Sequence, residues 1–200
     1  MNVSFSATRR MNYYISCPLF FTNNESYPVS VSITTKPCER AENNLKIVNN
    51  QPVNGVKQKI GVCVKQITYE KKNFAIKFIE WIHLLRIIGV DKIYMYNRFV
   101  HKRTFSAMKY FEKIGILSVT EFIEPNGVPH QARSSGNKRA VEILIINDCL
   151  YRIRNLYEYV LVLDPDEVPI PVRKNETTLL DFISSYVDRS NHSDSYSFHS

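Results

Sequence analysis

Three carboxylates stand almost side by side in Leu161-Val162-Leu163-Asp164-Pro165-Asp166-Glu167, where an apolar run passes directly into acid with one proline between. Packed this closely they repel, which raises their proton affinity and costs stability unless a cation lies among them. A hard divalent ion with oxygen ligands, Mn²⁺ or Mg²⁺, is the natural partner. Bridging the carboxylates to a diphosphate, such an ion would neutralise charge on a leaving group as a glycosidic bond breaks. In an extended segment residues i and i+2 project to the same side, so Asp164 and Asp166 can face one ligand while Pro165 stiffens the turn between them. Asp166 is then the preferred direct ligand, Asp164 shares the ion or meets a ribose, and Glu167 completes the metal set or hydrogen-bonds a sugar. The bland alternative is a polar loop that caps a following helix, since two acids this close recur by chance.

Lys65, Asn97 and Asp148 join Asp164 as candidates for contacts to a nucleotide sugar. Lys65 follows a β-branched run and Asn97 ends another. Asn147 and Asp148 interrupt an otherwise apolar helix, an expensive place for a polar pair unless each finds a partner or reaches a site. Asn137, Lys138 and Arg139 open that helix, where backbone N–H groups and positive charge could receive a diphosphate. His83 and His130 have no ligand partner at a recognisable spacing and read as structural. No residue is assigned as the catalytic base, which is expected beyond the end of the chain.

The elements that must position these residues follow from periodicity. Ile60 to Val64, Lys92 to Tyr96, Leu117 to Phe122 and Tyr159 to Leu163 are short, β-rich runs that read as strands. Between them, Phe74 to Ile88 carries apolar residues at helical spacing and is stopped by Gly89. Thr104 to Ile114 does the same and is stopped by Gly115, and a longer helix runs from about Asn137 to Arg154. Strands alternating with helices predict an α/β fold with a mainly parallel, doubly wound sheet covered on both faces. Ligands of such sheets sit at the carboxyl ends of the strands. Lys65 to Tyr69, Asn97 to Phe99, Glu124 to Asn126 and Asp164 to Glu167 all occupy that edge. Residues 1–58 differ: they are rich in Asn, Ser, Thr and Pro, with strand-like pieces near Tyr13 to Ile15 and Val29 to Thr34. We read them as a β-rich N-terminal extension to a domain over 59–200, which ends on a strand-like Ser195 to Ser200.

Composition narrows the partners. The 200 residues are 44% hydrophobic, enough for one domain with a core, and the net charge of +7 favours anionic ligands. Its basic residues are dispersed and form no long run, so a polyanion-binding module is the weaker alternative and no nucleic-acid partner is expected. The four cysteines, Cys17, Cys38, Cys63 and Cys149, include no close pair of the kind that zinc ribbons use. Cys63 and Cys149 fall on a strand and a helix that should pack together and can pair, leaving Cys17 with Cys38, but three connectivities stay open. Sequons at Asn2, Asn24, Asn175 and Asn191 lean towards a lumenal compartment. No run approaches the roughly 18 apolar residues of a membrane span.

Three blocks together resemble glycosyltransferase family 92. Cys63-Val64-Lys65, followed by the stretch from Glu80-Trp81 to Tyr96-Asn97, is similar to its first strand, helix and second strand. Ile146-Asn147-Asp148-Cys149-Leu150-Tyr151-Arg152 resembles its helix before the metal motif, and Leu163-Asp164-Pro165-Asp166-Glu167 resembles its D-x-D-E signature. The resemblance implies a GT-A fold and a Golgi-lumenal enzyme with an N-terminal anchor in its full-length form. It also implies Mn²⁺-dependent transfer from a UDP-sugar, with galactose as the sugar, to a glycan or glycoprotein acceptor. Three departures are visible: no anchor is seen in this sequence, little chain follows the acidic block, and Pro165 stands where that family has an apolar, often β-branched residue. A truncated relative that keeps only the fold is the alternative they raise.

Overall fold

The computed structural model describes residues 15–16, 28–65, 70–122, 135–171 and 176–187, with 135–140 and 186–187 described by backbone alone. The asparagines of the four sequons, Tyr13, Tyr14, Cys17, residues 66–69, Glu124 to Asn126, His130 and Ser195 to Ser200 lie outside them.

The elements run β1 (Ser30–Val31), β2 (Leu45–Lys46), β3 (Gln58–Val64), α1 (Ala75–Ile87), β4 (Lys92–Asn97), α2 (Lys102–Lys113), β5 (Leu117–Glu121), α3 (Ser135–Ile153), β6 (Tyr157–Leu163) and α4 (Leu179–Val187). The four strands of the main sheet and the three helices between them that periodicity predicts are all present, with ends shifted by a few residues. Both helix stops act as expected. At Gly89 and Gly115 the backbone turns to φ +99 and +81, a region that L side chains rarely adopt. Each closes the helix with a pair of backward bonds, from Gly89 N–H to Arg86 O and Val90 N–H to Leu85 O, and from Gly115 N–H to Glu112 O and Ile116 N–H to Phe111 O.

β1 and β2 pair antiparallel over two residues each and are exposed. That is shorter than the Val29 to Thr34 run suggested, for a local reason. The Asn43 side chain takes over both backbone groups of Ile33, accepting its N–H at 2.8 Å and donating to its carbonyl at 2.6 Å, so the ladder ends there.

The main sheet has strand order β5-β4-β3-β6, with every adjacent pair parallel. Alternation along β3 divides its side chains. Ile60, Val62 and Val64 pack with Phe78, Trp81, Ile82 and Leu85 of α1, Met108 and Phe111 of α2 and Leu179 and Ile183 of α4. Cys63 turns to the other face, beneath Ile145, Cys149 and Ile153 of α3. Thus α1, α2 and α4 cover one face and α3 the other, giving the doubly wound arrangement.

Helix α4 is absent from the expectations above. Its signal was present: Thr178 and Asp181 form a capping box in which Asp181 Oδ2 accepts from Thr178 N–H at 2.9 Å and Asp181 N–H donates to Thr178 Oγ1 at 3.2 Å. Its Leu179 N–H then bonds Ile88 O at 2.8 Å, tying it to the end of α1. Among the described residues no helix is long and apolar enough to cross a membrane.

Candidate active site

The chain winds from β3 through β4 to β5 in one direction and then returns past β3 to place β6 on its other side. The order therefore reverses between β3 and β6, and in open α/β sheets ligands bind at the carboxyl ends of the strands at such a reversal. Residue 65 follows β3 and residue 164 follows β6. Lys65 Nζ donates to Asp164 Oδ2 at 3.0 Å, and each side chain remains about a third exposed, at 34% and 37%. This pair joins two positions 99 residues apart in sequence.

Both ends of the pair are held by backbone. β3 and β6 stay in register from Gln58↔Tyr157 to Val64↔Leu163, and Lys65 N–H extends the ladder to Leu163 O at 3.1 Å. After Leu163 the chain turns sharply. Glu167 N–H donates to Asp164 O at 3.1 Å, which makes Asp164 to Glu167 a β-turn with Pro165 at its second position, the place where a fixed φ favours turning. Glu167 Oε2 accepts the Asp164 N–H at 2.9 Å, so the first and last residues of the turn are tied twice. Trp81, buried at 3% exposure on α1, donates its indole N–H to Glu167 O at 2.7 Å and anchors the turn from below.

This corrects one expectation. Asp164, Pro165 and Asp166 are not extended, and the alternation that would set Asp164 and Asp166 on one side does not apply. Proline pre-shapes the turn, and the turn brings Asp164 beside Glu167 instead. Pro165 is buried, while Asp166 and Glu167 are exposed. Asp166 makes no hydrogen bond or ion pair with a described residue. Among the described residues no three His, Cys, Asp or Glu groups are assembled as a ligand set. By chemistry the turn nevertheless suits a hard divalent ion, since Asp164, Asp166 and Glu167 offer only carboxylate oxygens within four consecutive residues.

The crowding of negative charge is relieved by Lys65. Its ammonium is held above the ordinary lysine range, first by the hydrogen bond to Asp164 and further by the charge of Asp164, Glu167 and Glu142. Glu142 lies on α3 and was not expected at the site. No local spacing sets it apart from a solvated helix acid; only the packing of α3 over β3 brings it near.

The remaining candidates divide. Asn97 ends β4 and donates through Nδ2 to Glu121 Oε2 of β5 at 2.9 Å, while its Oδ1 is buried without a hydrogen-bond partner. By extension of the β3–β4 register Tyr96 stands across from Lys65, so Asn97 lies one residue further along the same carboxyl edge. Asp148 is engaged elsewhere. Its Oδ2 accepts from the Tyr96 hydroxyl and from Arg152 Nε, the latter at 2.7 Å, which fastens α3 to β4. Burial, aided by Asp148, pushes the Tyr96 phenol far above its usual range, so it remains a donor. The cost of a polar group in the apolar helix is thereby met within the protein. Asn147 is exposed. His83, also exposed, meets the Phe111 ring edge-on, consistent with a structural role.

Beneath Lys65, Cys63 and Cys149 form a disulfide, both buried at 1% exposure. The pairing of strand with helix is as weighed from sequence. Cys38 is exposed and free, so the bridge suggested for it with Cys17, which lies outside the described residues, is not seen.

Comparisons with curated proteins and with solved structures give no match. A comparison with protein families gives one, to glycosyltransferase family 92, over residues 58–200. That span begins at the first residue of β3 and takes in the whole parallel sheet, the strand switch and the acidic turn. With its fold and its candidate site both inside a match of this extent, the chain belongs to glycosyltransferase family 92.

Proposed function

We propose that this chain binds the donor in a metal-dependent glycosyl transfer, a UDP-sugar with galactose as its sugar, and passes that sugar with inversion to a glycan or glycoprotein acceptor. The observation that carries the reading is the meeting of Lys65 with Asp164 at the switch point, which puts a cation and a carboxylate-rich turn together at that edge. Lys65 would meet the diphosphate as a point charge. Mn²⁺ or Mg²⁺ would be held by Asp164, Asp166 and Glu167 and would supply charge neutralisation on the departing diphosphate. Trp81 and Pro165 keep the turn in place, and Asn97 offers polar contact on the nucleoside side. Asp148 acts one step back, by positioning α3. A buried disulfide and the four sequons support a lumenal setting, that of the Golgi, with a membrane anchor in a longer form.

Calorimetry with UDP tests the reading. For the wild type, affinity should rise at least about tenfold when Mn²⁺ replaces chelator, and Asp166→Asn, which removes charge but keeps shape, should abolish most of that gain. Equal UDP affinity in all four conditions would remove the metal-bridged donor site.

A further inference from the structure

We propose that Lys65 is a tethered cation that occupies Asp164 until a nucleotide diphosphate draws it away, so that the divalent ion and the nucleotide enter the site cooperatively. The inference rests on the donor-site reading above and adds a means of coupling the two ligands.

The geometry supplies the competition. Asp164 is one of three carboxylates on the turn, and its Oδ2 is taken by Lys65 Nζ at 3.0 Å. The ion pair is not a chance meeting of two long side chains on mobile loops. Lys65 is fixed by the ladder to Leu163 and Asp164 by two bonds to Glu167, so the groups are presented to each other by backbone. Both side chains are about a third exposed, which leaves each free to exchange its partner for one arriving from solvent. A divalent ion approaching the turn meets a positive charge already on the carboxylate it needs, which weakens its binding when nucleotide is absent. A diphosphate offers the ammonium a stronger and more charged acceptor than one carboxylate. Moving Lys65 to it would expose Asp164 Oδ2 and remove a repulsive neighbour from the ion. Coupling of this kind is reciprocal: the ion must raise nucleotide affinity by the same factor that the nucleotide raises ion affinity.

Free Mn²⁺ measured by electron paramagnetic resonance, on the full chain with and without saturating UDP, reads the coupling directly and needs no turnover. Without UDP, Lys65→Met should bind Mn²⁺ about fivefold more tightly than the wild type, and Lys65→Arg, which keeps the charge, should not. UDP should then raise Mn²⁺ affinity strongly in the wild type and less in Lys65→Met. Lys65→Gln is a second neutral variant should the methionine disturb folding, as judged by thermal melting, and the same tightening is expected of it. If the wild type binds Mn²⁺ in the presence of UDP but the neutral variants without UDP bind it no better than the wild type, Lys65 is not a competitor and the donor-site reading stands alone. No Mn²⁺ binding by the wild type even with UDP overturns that reading and this inference together.

Discussion

The two faces of the parallel sheet are held by different means. On one, α1, α2 and α4 build a wide apolar layer in which Phe78, Ile82, Leu85 and Met108 are fully buried against Ile60, Val62, Val64, Ile93 and Met95. On the other, among the described residues, a single helix, α3, covers the sheet through a much smaller cluster. That face is fastened by specific links: the Cys63–Cys149 disulfide, the Tyr96–Asp148–Arg152 cluster and the 3.0 Å contact between the Tyr94 and Tyr157 hydroxyls. Where many apolar groups meet, burial alone supplies the stability. Where one helix covers the strands, covalent and polar ties replace missing area; the disulfide and the Tyr96–Asp148 contact lie towards the candidate site, and the Tyr94–Tyr157 contact reaches to the amino end of β6. Lys65 is two residues beyond the cysteine in β3, and Glu142 is about two helix turns before the cysteine in α3.

Phe78→Ala is the severest test of the apolar face. The ring is fully buried, and its removal should cost about 3–5 kcal/mol in urea unfolding, by lost transfer energy and the cavity left behind. A loss below about 1 kcal/mol would mean that this layer is not what holds α1. Replacing both cysteines of the disulfide with alanine should cost somewhat less, about 2–4 kcal/mol, because the bridge closes a loop of 86 residues in the unfolded chain. Here the distribution matters more than the total. Amide exchange should quicken along α3 while α1 and α2 keep their protection; an equal loss on both faces would abolish the distinction. The smallest effect is expected at Gly61, which opens room for the Tyr157 ring on the α3 side. A methyl group there would stand 2.7 Å from a ring carbon, so Gly61→Ala should cost about 1–3 kcal/mol. Adding Tyr157→Val should recover part of that loss, and strict additivity of the two changes would show that the ring does not fill the space as described.

Much of the architecture was legible in sequence, and the reason is local. Strands β3, β4, β5 and β6 announce themselves as β-branched or aromatic runs, the helices between them by apolar spacing, and two helix ends by glycines whose positive φ a side chain would oppose. The candidate site was legible to the same depth: parallel strands put Lys65, Asn97 and Asp164 on one edge before any contact was known. What failed was the expectation that Asp164 and Asp166 project to the same side, as they would in an extended segment. Proline followed by two polar residues is turn chemistry, and the two hydrogen bonds of Asp164 with Glu167 close that turn. Asp148 was open for a related reason: a polar residue in an apolar helix signals only that a partner exists, and tertiary structure supplies Tyr96 and Arg152 as partners.

The amino-acid sequence by itself determined the elements, their order and the edge on which chemistry-bearing residues emerge, because periodicity, capping and turn propensity act within a few residues. Tertiary structure alone decided that β6 lies beside β3, that Lys65 meets Asp164, that Glu142 shares the field of that lysine, and that Cys63 bonds Cys149. Each of these joins positions many tens of residues apart. They follow from which strand order buries the apolar faces of α1, α2 and α3 together, a balance taken over the whole chain and encoded in no single segment of it.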